Sequence, residues 1–188
     1  METWMIVVVS LLVLLAAGLV LTAVLTKRRT ATLKDRFGPE YDRTVELAGS
    51  RRQAEADLLS RAKRVERFEL RPLTAAEADA FVARWREAQA LFVDSPAAAV
   101  VAAGALVKDV MRARGFPAGD FEQRVADISV DHPHLVERYR AAQETALASR
   151  LGGTRTEEVR QAMVSFGTLV DELLETGEPA VVARYSAG

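Results

Sequence analysis

WMIVVVSLLVLLAAGLVLTAVLT, residues 4 to 26, runs for 23 residues without a charged side chain. As a helix it reaches about 34 Å, enough to cross the roughly 30 Å hydrocarbon core of a bilayer. Ser10, Thr22 and Thr26 fit that setting, because a helix satisfies its own backbone polar groups. Trp4 stands where an interfacial aromatic anchors. A buried core helix is a poor alternative, since soluble cores rarely need so long an uninterrupted apolar run. A cleaved signal peptide needs a basic start and an apolar stretch of about 7 to 15 residues. Here the start is Met1-Glu2-Thr3, and the positive charge follows the run as Lys27-Arg28-Arg29. The sequence therefore predicts one uncleaved transmembrane helix over residues 4–26.

Lys27, Arg28 and Arg29, with Lys34 and Arg36, make residues 27–38 a basic juxtamembrane segment, interrupted by Asp35. Basic residues favour the cytoplasmic side. The expected localisation is the cell membrane, single-pass, with the N-terminus outside and the C-terminal body in the cytoplasm. Beside an anionic leaflet each such cation contributes on the order of 1 kcal/mol. These five residues are candidate membrane-surface contacts, and the lipid bilayer is the first expected partner. A simple stop-transfer flank explains the same charges.

The remainder excludes more than it selects. The chain has 188 residues, no cysteine and a net charge of −1. Without cysteine there are no disulfides, thiolate metal sites or cysteine nucleophiles. Glu2 is the only charged residue before Lys27, so the acidic and basic residues beyond the apolar run balance. A balanced helical body has no field that steers nucleic acid, and no nucleic-acid partner is expected. No phosphate-binding glycine loop or G-x-S-x-G elbow is present; RLGGTRT, residues 150–156, lacks the strand and the lysine.

Gly38 and Pro39 end one helical stretch and start another. Residues 39–68 then read as a polar long helix or stalk. Its thin apolar seam is Tyr41, Val45, Ala48, Leu59, Ala62 and Val65, interrupted by Arg52 and Glu55. Ser50 with Gln53 marks a possible break inside it. Tyr41 and Val45 share one seam, which favours packing over a surface site for the PEYDRTV stretch, residues 39–45. FELRPLT, 68–74, is a linker, and Thr74 with Glu77 forms a capping box for the next helix.

Residues 74–176 read as a helical bundle. Phe81, Trp85, Ala88 and Phe92 share a face. AAAVVAAGALV, 97–107, is apolar all round but spans only about 17 Å as a helix, too short for a bilayer. It reads as the central buried helix, with a re-entrant segment as the alternative. Asp120 with Gln123 opens a short helix, and a longer one runs to about Arg150 with Leu135, Tyr139, Ala142 and Ala146 on one side. Gly152-Gly153 breaks it. Thr156 is expected to cap the last helix, Gly177 to end it, and residues 177–188 to form a flexible tail.

DHPH, residues 131–134, holds both histidines of the chain, His132 and His134. Metal sites take several converging ligands, usually three or more. On a helix, residues i and i+2 diverge by about 200°, so the two imidazoles are expected to point apart. Asp131 or His132 before Pro133 reads as an N-cap followed by a first-turn proline. The site is expected to be a helix start; a metal-dependent enzyme using His132 and His134 is the lesser alternative. No catalytic, cofactor-binding or metal-ligating residue is assigned, and no cofactor is expected.

The strings RFGPEYDRTVE, RRQAEADL, RVERFELRPLT, VMRARGFP, DFEQRVADISVDHP and QAMVSF, spread over residues 36–175, resemble an uncharacterised family of small bacterial proteins common in actinobacteria. The resemblance implies the same helical body, often behind a membrane helix, and supplies no catalytic residue. The expected fold is all-α: one N-terminal transmembrane helix, a polar juxtamembrane helix and a small bundle. The expected function is a membrane-tethered protein-interaction or scaffold module, with a protein partner. The alternative is an envelope- or lipid-sensing accessory subunit.

Overall fold

A computed structural model describes residues 2–175. Those residues are helical with no strand. The predicted tail at 177–188 and the Gly177 stop lie outside them. The helices are α1 (Glu2–Phe37), α2 (Pro39–Ala48), α3 (Arg51–Val65), α4 (Ala75–Asp94), α5 (Pro96–Ala113), α6 (Phe121–Asp131), α7 (Val136–Arg150) and α8 (Thr156–Glu175), with a 3-10 turn at Pro133–Leu135. The chain forms two compact units, residues 1–59 and 60–188.

In the first unit α1 is long and apolar enough to cross a membrane. Its described apolar side chains from Val7 to Leu25 are exposed. Residues 27–37 continue this same helix. Gly38, at φ +48°, ends it, and Pro39 opens α2 at a position where its missing N–H costs nothing. Gly49, at φ +66°, ends α2, and its N–H closes on the Val45 carbonyl. The 39–68 segment is thus two helices and not one long stalk: a left-handed glycine and Ser50 separate them, and the Ser50 hydroxyl accepts from the Gln53 N–H.

The buried face of α3 also differs from the expected seam. Ala54, Glu55 and Leu58 are buried, whereas Leu59 is half-exposed. Glu55 does not interrupt this face. Its Oε1 accepts from Thr30 Oγ1 at 2.7 Å and from Tyr41 Oη at 3.0 Å, fixing α3 to α1 and α2. Burial first, and then the Glu55 hydrogen bond and charge, raise the Tyr41 phenol above its usual pKa. The PEYDRTV stretch packs through Tyr41 and keeps Asp42 outside.

In the second unit Thr74 caps α4. Its hydroxyl accepts from the Glu77 N–H while the Glu77 carboxylate accepts from the Thr74 N–H. Such a cap contributes about 1 kcal/mol. The core centres on α5, where Ala99, Val100, Ala103, Leu106, Val107, Val110 and Met111 are buried. Gly104 of α5 lies against Gln143 of α7 and Phe166 of α8, and a Cβ there would sit 3.2 Å from the Phe166 ring. Tyr139 and Phe166 are fully buried and meet edge to face at 6.4 Å. Each such side chain stabilises the fold by about 2–3 kcal/mol through burial.

The direction of the helices follows from two contacts. Gly104 meets Phe166, and the Arg114 guanidinium meets the Leu173 carbonyl, so α5 and α8 run parallel. The short connections at Ser95 and at residues 151–155 make α4–α5 and α7–α8 antiparallel hairpins. The α4–α5 turn and the α7–α8 loop therefore lie at the same end of the bundle. Thr156 is the first residue of α8 and not its cap. The turn is closed from within, where Glu158 accepts from the Arg155 N–H at 3.1 Å.

Candidate functional site

His132 and His134 lie where the chain passes from α6 to α7. Asp131 is the last residue of α6, and Pro133 opens the 3-10 turn that leads into α7. The predicted helix start is present, with His132 at the capping position but without a side-chain cap. The orientation of the rings is not as expected. His132 Nδ1 lies 2.8 Å from Glu172 Oε2, and His134 Nε2 lies 2.9 Å from Glu172 Oε1. Both imidazoles converge on one carboxylate of α8, with ring centroids 6.3 Å apart.

The reason is backbone conformation. A divergence of about 200° holds for residues i and i+2 inside one helix. His132 has φ −129° and ψ 57°, outside both the helix before it and the turn after it. One ring uses Nδ1 and the other Nε2. Against a carboxylate each of these nitrogens donates.

Burial opposes ionisation of Glu172, but the His134 hydrogen bond and the positive charge of both imidazoles outweigh it, and the carboxyl sits below its usual pKa. His132 is mostly buried, whereas His134 is largely exposed. Next in sequence, Leu173 accepts from buried Arg114 at 3.1 Å. Burial lowers the Arg114 pKa, and the charge of Asp131 opposes that shift.

This arrangement can pin the α6–α7 corner to the last turns of α8 and can carry a proton between two imidazoles and a carboxylate. It presents two nitrogens and one carboxylate already bonded to one another. Among the described residues no group of three or more His, Asp or Glu side chains is arranged to hold a metal ion. Sequence reasoning missed Glu172 because its approach is tertiary, nearly forty residues away along the chain.

The five predicted membrane-surface residues divide in two. Lys27, Arg28 and Arg29 are exposed on α1 and form no ion pair within the described residues. Lys34 pairs with Asp42 at 3.6 Å and lies 5.2 Å from the centre of the Tyr41 ring. Arg36 is exposed on the same last turn. Leu33 and Phe37, between and beyond them, are buried.

A second surface feature belongs to the bundle. Leu91 and Val93 at the end of α4, and Leu147 and Leu151 at the end of α7, are exposed apolar side chains at one end of the unit. Val93 is 83% exposed and Leu151 89%. Comparison with family models, curated proteins and solved structures finds no match for this chain.

Proposed function

We propose that the chain is a single-pass membrane protein whose helical body is a protein-interaction or scaffold module on the cytoplasmic side. The observation that carries this reading is the outward-facing apolar surface of α1, which continues without a break into a folded unit. Water penalises such a surface, and a bilayer removes the penalty. The cations that follow it support the cytoplasmic orientation of the body. The apolar end of the bundle, Leu91, Val93, Leu147 and Leu151, is the surface assigned to the protein partner.

Photo-crosslinking in native membranes tests the partner reading. A crosslinker placed at Val93 or Leu151 of the full chain should give an adduct of defined mass. The same probe at exposed Arg138, near the other end of α7, should not. Absence of adducts at both apolar positions overturns the interaction module. A compartment-sensitive reporter after Gly188 tests the orientation independently; an external signal overturns the cytoplasmic assignment.

A second reading, a lipid-sensing accessory subunit, is favoured by Lys27, Arg28 and Arg29. Their exposed charges, unmatched among the described residues, follow directly on the apolar run.

A further inference from the structure

We propose that the bundle carries a binding pocket for a small tetrahedral oxyanion, a phosphate or phosphoryl group, held by Lys108, Arg112 and Arg124. This inference is independent of the membrane reading. The pocket is a half-open cavity of about 60 Å3 at the C-terminal end of α5, walled by Met111, Phe116, Pro117, Ala118 and Gly119 together with the three cations. One water takes on the order of 10–15 Å3 on the same measure. The cavity therefore holds a group of about four to six heavy atoms, the size of phosphate.

Among the described residues no carboxylate lines this cavity. Several arginines elsewhere are matched by an acid: Arg140 with Glu122, Arg155 with Glu158, Arg160 with Glu157. Around the cavity that matching fails. Lys108 has no ion pair or hydrogen bond among the described residues. Arg112 shares Asp109 with Arg84, at 3.3 and 2.7 Å, so two guanidinium groups face one carboxylate and a positive charge is left over. Among the described residues Arg124 donates only to neutral oxygens, from Nη1 to the Gly119 carbonyl at 2.6 Å and from Nε to Tyr139 Oη at 3.3 Å.

The nearby acids are occupied elsewhere. Asp120 caps α6 through the Gln123 N–H, and Asp127 is taken by Arg64 and Gln123.

Geometry favours a polyvalent anion over a single-point contact. Lys108 and Arg112 stand four residues apart on one face of α5. Arg124 approaches from α6. Its two bonds fix the guanidinium plane and leave Nη2 without a partner among the described residues. Two elements thus supply separate donors to one small volume, the arrangement that recognises several oxygens at once. The last carbonyls of α5 do not oppose the anion freely, because Val110, Met111 and Arg112 already accept from Arg114, Phe116 and Gly115.

The test uses the full chain in detergent micelles and follows thermal stability during titration with inorganic phosphate, sulfate or glycerol phosphate, each against sodium chloride at matched ionic strength. Saturable stabilisation by at least one of the three is expected. Phosphate or sulfate acting alone identifies a free anion as the ligand; glycerol phosphate acting alone identifies a phosphoryl ester. Lys108→Gln, which removes a positive charge that is unpaired among the described residues, should weaken binding about tenfold or more while leaving the unliganded melting temperature unchanged. Stabilisation no greater than that given by chloride, or unaltered binding in Lys108→Gln, overturns the site.

Discussion

Asp127, 1% exposed, places one oxygen against the guanidinium of Arg64, with Nε at 3.0 Å. The same oxygen accepts from Gln123 Nε2 at 3.0 Å. A buried carboxylate stripped of its cation is more costly than the pair is worth. Arg64→Ala should therefore destabilise the bundle by about 2 kcal/mol, near the lower end for such losses because Arg64 is partly exposed and water can take its place. Asp127→Asn, which retains an acceptor and removes the charge, should cost less. Thermal melts of the full chain should rank Arg64→Ala below Asp127→Asn; the reverse order would show that the pair contributes no more than its individual hydrogen bonds.

The convergence of His132 and His134 on Glu172 makes stability depend on pH in a defined direction. The folded carboxyl lies below its ordinary value, so its contribution is fully present above the unfolded glutamate pKa, about 4.3, and is lost as pH falls through the lower folded value. Glu172→Gln removes that contribution. The difference in melting temperature between the wild type and Glu172→Gln should be largest above about pH 4.3 and should close as the pH falls further. Glu77 and Glu157, each lowered to about 2 by arginine hydrogen bonds, remain in both proteins and cancel in the comparison. A difference that stays constant through this acid range would mean that Glu172 keeps its ordinary affinity for protons.

Local rules carried the reading where the chemistry is local. Thr74 and Glu77 sit three residues apart, and the capping box follows from that spacing alone. The all-round apolar character of residues 97–107 pointed to a central α5, and most of that stretch is buried or partly buried against the other helices, with Ala97 and Ala98 left exposed at its start. Gly38 and Pro39 marked the end of one helix and the start of the next, and the structure places both there. Glu55 and Glu172 were illegible for one shared reason: each is a carboxylate whose partners come from a distant part of the chain, Thr30 for the first and the two histidines for the second. Neither spacing nor composition encodes that meeting. The imidazole directions failed differently, since a helical rotation was applied to His132, which stands outside any helix.

Gly115 provides a sharper test of the loop after α5. Its φ is +96°, in the left-handed region, and an added Cβ would sit 2.5 Å from the Glu69 carbonyl oxygen. Backbone cannot move aside as a side-chain tip can. Gly115→Ala should destabilise the bundle by about 2–3 kcal/mol, combining the conformational cost with displacement of the 68–71 linker, where Arg71 donates to the Arg114 carbonyl. Gly153, with an ordinary φ and nothing within 4 Å of a new Cβ, is the control. Gly153→Ala should change stability by no more than about 1 kcal/mol. Equal tolerance of the two substitutions by thermal denaturation would refute the constraint at Gly115.

The last prediction separates the two halves of the basic segment. Along a continuous helix, Lys27 to Arg29 lie within about 5 Å of the end of the apolar run at Thr26, whereas Lys34 and Arg36 lie about 12 and 15 Å beyond it. The screening length at physiological salt is about 8 Å. Lys34 is also engaged by Asp42. Preference for anionic lipid should therefore reside in the first three residues and not in all five. In the full chain reconstituted into vesicles of mixed zwitterionic and anionic lipid, spin-labelled anionic lipid should be immobilised beside the protein more than its zwitterionic counterpart. The triple variant Lys27→Gln, Arg28→Gln, Arg29→Gln should abolish most of that preference, and the double variant Lys34→Gln, Arg36→Gln should leave it nearly unchanged. Equal losses in the two variants would place the lipid contact along the whole segment and overturn the division between its two halves.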